Sequence, residues 1–375
     1  MATVWTPTPL RSCVVLILGL SSTCALFPAQ AEQAAAPINP QRARTGASRF
    51  GIWTYGRPFD SDMRGRSMYV DDDTLGILAE AGAYLVYGLK QKNIGDALAE
   101  KLRRFKAHGI EVHVSVTPMA EEVAFVNVWS FEALRGEIDQ VLAFLESSDL
   151  LGDPVTTLVY DMEPMPGKIL PFYGKDRAVI HKLGEYRAVQ RTFVEFNRHL
   201  REEYGIAVRI CADALYALDP ADGDDDLRCL FGLLADEQAS MSYMTYRRGD
   251  FNRDFILDHC VFLEGGDTII LNAWKEKDHD CWGDLACAID DARLVLSYEE
   301  QDFGLEIWAL WYFLKSCGIG GLRDFAEAIT TDASEWPPVK VRGHALRTVK
   351  WRYLRAGVSV LDFYGPFFRI AYSAY

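Results

Sequence analysis

Several things are missing from this chain, and each absence removes a class of function. After the first thirty residues no stretch approaches about 20 uninterrupted apolar residues, so no later segment reads as a membrane-spanning helix. Positive charge is in deficit: 39 Lys and Arg stand against 53 Asp and Glu, a net charge of -14. A nucleic-acid or anionic-membrane binder needs a basic face to displace counterions, so neither partner is expected. No G-x-G-x-x-G or phosphate-binding loop follows any strand-like run, which disfavours a nucleotide-binding doubly wound sheet. The seven histidines form no H-x-H or H-E-x-x-H, and the cysteines no C-x-x-C, so no zinc site is expected. There is no G-x-S-x-G for a serine hydrolase. The acidic run Asp219, Asp222, Asp224, Asp225 and Asp226 lacks a calcium-loop pattern and reads as a solvated turn. No cofactor and no metal are implied.

What is present is a globular composition of 49% hydrophobic and 25% charged residues. Residues 1–31 resemble an export signal: Arg11 is the only charge, residues 14–20 are apolar, and Pro28-Ala29-Gln30-Ala31 reads as a cleavage site before Glu32. Residues 32–48, rich in Ala, Pro, Gln and Arg, read as a linker. Removing the signal leaves Cys211, Cys229, Cys260, Cys281, Cys287 and Cys317, either disulfide-bonded in an oxidising compartment or buried free thiols. The expectation is a secreted or periplasmic protein with no membrane attachment after cleavage, acting as a monomer.

From residue 49 to 375 short apolar runs alternate with amphipathic stretches. The runs cover 50–55, 84–89, 111–117, 157–163, 208–212, 240–246, 268–274 and 306–311. Helical periodicity lies between them, as in Leu98-x-x-x-Leu102-x-x-Phe105, 131–145 and 189–200. Alternation of this kind predicts a parallel sheet, and eight units predict a single (β/α)8 barrel, the TIM-barrel form of the α/β class. The eighth strand has two candidates: the apolar run around Trp308, which also fits a buried helix over 305–314, and residues 358–364.

Catalytic residues of such barrels lie at the C-terminal ends of the strands. The fourth run ends Thr157-Leu158-Val159-Tyr160-Asp161-Met162-Glu163-Pro164, which puts Asp161 and Glu163 on one face of a strand. Two carboxylates that close do not both ionise freely, and one with a raised pKa suits a general acid. The sixth run carries Met244 and Tyr246 on one face, and the seventh carries Asn272, Trp274 and Glu276 on another. Trp53 and Tyr55 end the first run, Asp213 the fifth, and Trp308 lies near the eighth. Aromatic faces and hydroxyls at a barrel rim suit a sugar ring. His113 alternates with valines and reads as a core or rim histidine.

Tyr160-Asp161-Met162-Glu163 resembles the end of the D-x-x-D-x-D-x-E motif of glycoside hydrolase family 18, the chitinases and endo-β-N-acetylglucosaminidases. Met244-Thr245-Tyr246 resembles that family's M-x-Y, and Ile307-Trp308 its closing strand. The resemblance implies Glu163 as the acid, with Asp161 orienting a substrate N-acetyl group that acts as nucleophile. It implies a hydrogen bond from Tyr246 to the same group. The hyaluronidases have a similar D-x-E. The family's two earlier aspartates fall here on Thr156 and Val159, and the aspartate after M-x-Y on Arg247. A second arrangement pairs Glu163 with Glu276 as the acid/base and nucleophile of a retaining barrel glycosidase, with Met162 where that clan has asparagine. Tyr55, Asp213, Met244 and Asn272 are then substrate contacts, and Trp53, Trp274 and Trp308 stacking platforms. The substrate is an oligo- or polysaccharide. A non-catalytic sugar-binding barrel and a polysaccharide-processing partner in an export or biosynthesis complex are the alternatives.

Overall fold

The computed structural model describes residues 50–55, 70–117, 131–162, 183–213, 239–245, 268–273, 275–276, 279–280, 285–297 and 304–337. Eight parallel strands form a closed barrel: β1 (Phe50–Tyr55), β2 (Tyr84–Leu89), β3 (Val112–Val116), β4 (Val155–Met162), β5 (Ala207–Asp213), β6 (Ala239–Thr245), β7 (Thr268–Asn272) and β10 (Gly304–Trp308). Each pairs with its predecessor in the chain, and β10 returns to β1. Helices pack on the outer face of the barrel and side chains fill its interior, so its strands are apolar almost throughout; every residue of β2 is buried.

Helices Asp72–Glu80, Asp96–Ala107, Phe131–Ser147, Leu183–Tyr204, Leu285–Leu296 and Leu310–Thr330 follow β1, β2, β3, β4, the 275–280 ribbon and β10. Their starts and faces follow from sequence. Asp71 caps the first by accepting the Thr74 amide at 2.8 Å, and Asp72 and Asp73 suit its positive end. Phe131, Leu134, Ile138, Val141, Leu142 and Leu145 form the buried stripe of the third. Outside the barrel wall, Phe131 packs edge-on to Phe193 at 5.2 Å, and Phe50 meets Phe325 at 6.0 Å. Among the described residues no helix is long and apolar enough to cross a membrane.

The run around Trp308 resolves into two elements. Residues 304–308 are the closing strand and a helix starts at Leu310. Residues 358–364 lie outside the described residues. The seventh strand is shorter than its apolar run: it stops at Asn272, and Lys275–Glu276 (β8) pairs antiparallel with His279–Asp280 (β9) in a separate ribbon.

Candidate active site at the strand ends

Register defines which residues share the barrel interior. Tyr160 lies on the outer face of β4, its ring 5.0 Å from Phe193 and its hydroxyl donating to Asn197 Oδ1 at 2.9 Å. Asp161 therefore takes the inner face, where its Cα pairs with Cys211 of β5. Asp161 keeps part of its residue surface open, but burial around the carboxyl pushes its pKa up to about 7. A carboxyl poised there holds or releases a proton near neutrality.

The other expected site residues fall into three groups. Asp213 pairs with Met244, and Asn272 pairs with Trp308, so the strand backbones bring these four to the same rim as Asp161. Tyr55 pairs with Gly88 at the end of β1. Trp308 keeps part of its surface open, and its ring stands 5.8 Å from Tyr312. Glu163, Tyr246 and Trp274 lie outside the described residues. Two expectations need correction. Glu276 sits in the β8–β9 ribbon, so strand alternation does not carry from Asn272 to it and the two share no strand face. Trp53 has 0% of its surface exposed, so it offers no open stacking face. Its Nε1 donates to Glu306 Oε2 at 2.6 Å.

That contact leads to a group of residues that no motif announced. Glu306 is fully buried one step below Trp308 on β10. Tyr84 donates its hydroxyl to Glu306 Oε1 at 2.6 Å. Arg209, on the opposite wall, reaches across the barrel: its Nη1 donates to the Tyr84 oxygen at 3.2 Å, and its Nη2 lies 2.5 Å from Glu306 Oε1. The Nη2 contact is off the hydrogen-bond direction, so it is an ion pair rather than a directed bond. Burial alone would make Arg209 shed its proton more easily. Glu306, and then Tyr84, outweigh burial and hold the guanidinium above its ordinary pKa. Burial, then Glu306, raises the Tyr84 phenol, which stays protonated and able to donate. His113 stacks on Tyr84 at 4.3 Å and faces Glu111 Oε1 at 3.2 Å. Burial lowers its pKa, partly offset by Glu111, so it is a neutral core histidine. Gly51 makes room for this layer: a Cβ there would stand 2.8 Å from Glu306 Cγ and overlap the Tyr84 ring.

The sequence held a signal for these residues. A lone arginine in Ala207-Val208-Arg209-Ile210 and a lone glutamate in Leu305-Glu306-Ile307 are charges inside apolar runs, and buried charges are paired. Among the described residues no cluster of three or more His, Cys, Asp or Glu is placed to hold a metal ion.

No protein-family model matches this chain, and no curated protein matches it. Solved structures do. A GH18 chitinase from Pseudoalteromonas aurantia aligns over 73% of this chain and 99% of its own, at 10% identity and a TM-score of 0.46. A chitinase from Bacteroides thetaiotaomicron aligns over 77% and 99%, at 11% identity and 0.46. A tri-modular GH5 endo-beta-1,4-glucanase from Bacillus licheniformis aligns over 78% and 60%, at 11% identity and 0.47.

Proposed function

We propose that the chain is a glycoside hydrolase acting on a neutral or weakly charged polysaccharide or glycan. The observation that carries this reading is Asp161: an inward carboxyl at the C-terminal end of a barrel strand, pushed up to about 7 by burial. It stands two residues before Glu163. In this reading Glu163 gives its proton to the glycosidic oxygen as the bond to the anomeric carbon breaks. Asp161 orients the substrate N-acetyl group, whose carbonyl oxygen bonds to the anomeric carbon. Water then opens that intermediate, and Glu163 takes a proton from the water. Tyr246 holds the same N-acetyl group. Asp213, Met244, Asn272 and Trp308 contact the sugar, and Tyr55 and Trp274 line the cleft.

The position of Glu276 favours this substrate-assisted route over a retaining pair of Glu163 and Glu276, because Glu276 is not on the β7 face. In the same reading residues 49–375 form a single (β/α)8 barrel, and the protein is exported as a monomer after cleavage before Glu32.

The test is incubation of the chain from Glu32 onward with N-acetylated chitin oligosaccharides, cello-oligosaccharides and a panel of neutral polymers. Release of shorter sugars from the N-acetylated substrates alone is the expected result. Cutting of non-acetylated polymers moves the mechanism to the retaining pair. Binding without cutting moves the protein to the sugar-binding class.

A further inference from the structure

Arg209 is the only buried Lys or Arg among the described residues. Its Cα pairs with Val159, and Asp161 is two residues further along β4. From strand spacing and rise the Arg209 and Asp161 Cα atoms are roughly 8 Å apart. An arginine side chain spans that distance. Yet the guanidinium is turned the other way, across the lumen, onto Glu306 of β10 and Tyr84 of β2. Trp53 of β1 fixes the second oxygen of Glu306. The ion pair does not explain itself through stability. Exchanging a buried pair for apolar residues of similar volume is often neutral or stabilising.

We propose that Glu306 is a positioning residue that acts through Arg209, holding the guanidinium against β1, β2 and β10 so that it does not turn onto Asp161. The groups around Asp161 agree. β3 offers His113, which is neutral, and Ser115, whose Cα partner is Val159. β5 offers Cys211 beside Asp161, Arg209 below and the Asp213 position above. β4 itself offers Thr157 and Val159 on the same face, with Glu163 beyond the described residues. Arg209 is thus the one permanent cation within reach among the described residues, and it is already paired. Burial is what raises the pKa of Asp161. A cation beside it would fix the carboxyl in its charged form and remove the proton that a neighbouring acid needs. The proposal rests on the reading of Asp161 as the partner of a catalytic acid. Its test needs no turnover, so it stands or falls separately from hydrolysis.

The experiment is a 13C-carboxyl NMR titration of the full chain labelled at aspartate, with the Asp161 resonance assigned by its loss in Asp161→Asn. In Glu306→Gln, which keeps the shape and frees the guanidinium, the Asp161 midpoint should fall by about one pH unit or more. In the double variant Arg209→Met with Glu306→Leu, which removes both charges, it should return close to wild type. Tyr84→Phe keeps both charges but releases Arg209 Nη1, and should lower the midpoint by a smaller amount. If Glu306→Gln does not fold, Tyr84→Phe decides alone. An unchanged midpoint in the folded single variants, or a double variant as low as Glu306→Gln, overturns the proposal.

Discussion

Two carboxyl groups of the barrel interior, Glu306 and Asp161, sit in contrasting surroundings. Glu306 is fully buried, but it accepts from Trp53 and Tyr84 and pairs with Arg209. Asp161 sits at the rim, partly open, and burial raises its pKa to about 7. Two donors and a cation surround the deep carboxylate, whereas burial acts on the carboxyl at the rim. The first is built into the scaffold of the barrel; the second lies at the strand ends.

The sharpest way to break this contrast is to remove one member of the deep pair. Glu306→Leu or Arg209→Met alone strands a buried charge and should cost about 3–5 kcal/mol, whereas the double variant should lie within about 1 kcal/mol of wild type or above it. Urea unfolding of the three variants checks this, and additive losses in the double variant would contradict it. A smaller effect is expected where the layer is tight. Gly51→Ala pushes a methyl group into Tyr84 and Glu306 and should cost about 1–3 kcal/mol, read from the same unfolding midpoints. On the outer face of β4, Tyr160→Phe leaves the Asn197 amide oxygen without its donor and should cost about 1–3 kcal/mol. An unchanged midpoint would show that the bond does not hold the strand.

The effect of pH is the most informative about Asp161. Its pKa is about 7 folded against an ordinary 3.8. The folded state therefore binds more protons than the unfolded state between those values, and stability falls as pH rises through that window. The contribution is fully present below about 4 and lost above about 7. Unfolding midpoints of wild type and Asp161→Asn across pH 4 to 8 should show a steeper decline in wild type. Parallel curves would deny the shift.

Much of the barrel was legible in the chain. β1 and β2 match their apolar runs to the residue, because parallel strands covered on both faces read as continuous apolar stretches. β7 misled for the same reason: Ala273 continues the buried run after the strand has ended, so hydrophobicity did not mark the stop at Asn272. Trp53 looked like a rim platform because an aromatic near a strand end fits either place. Only the distant Glu306, which satisfies its indole N–H, puts it inside. The inward position of Asp161 on β4 was legible through strand alternation, which needs no partner. Arg209 and Glu306 are each a charge in an apolar run, but nothing local pairs residues from opposite walls of a barrel.

The account rests on Asp161 and Glu163 performing hydrolysis. The most direct measurement is the initial rate of cleavage of an N-acetylated oligosaccharide by wild type and by Glu163→Gln, both confirmed folded. The account predicts cleavage by wild type and a loss of about 100-fold or more in the variant, since a general acid contributes on that scale. Equal rates in the two proteins would contradict it.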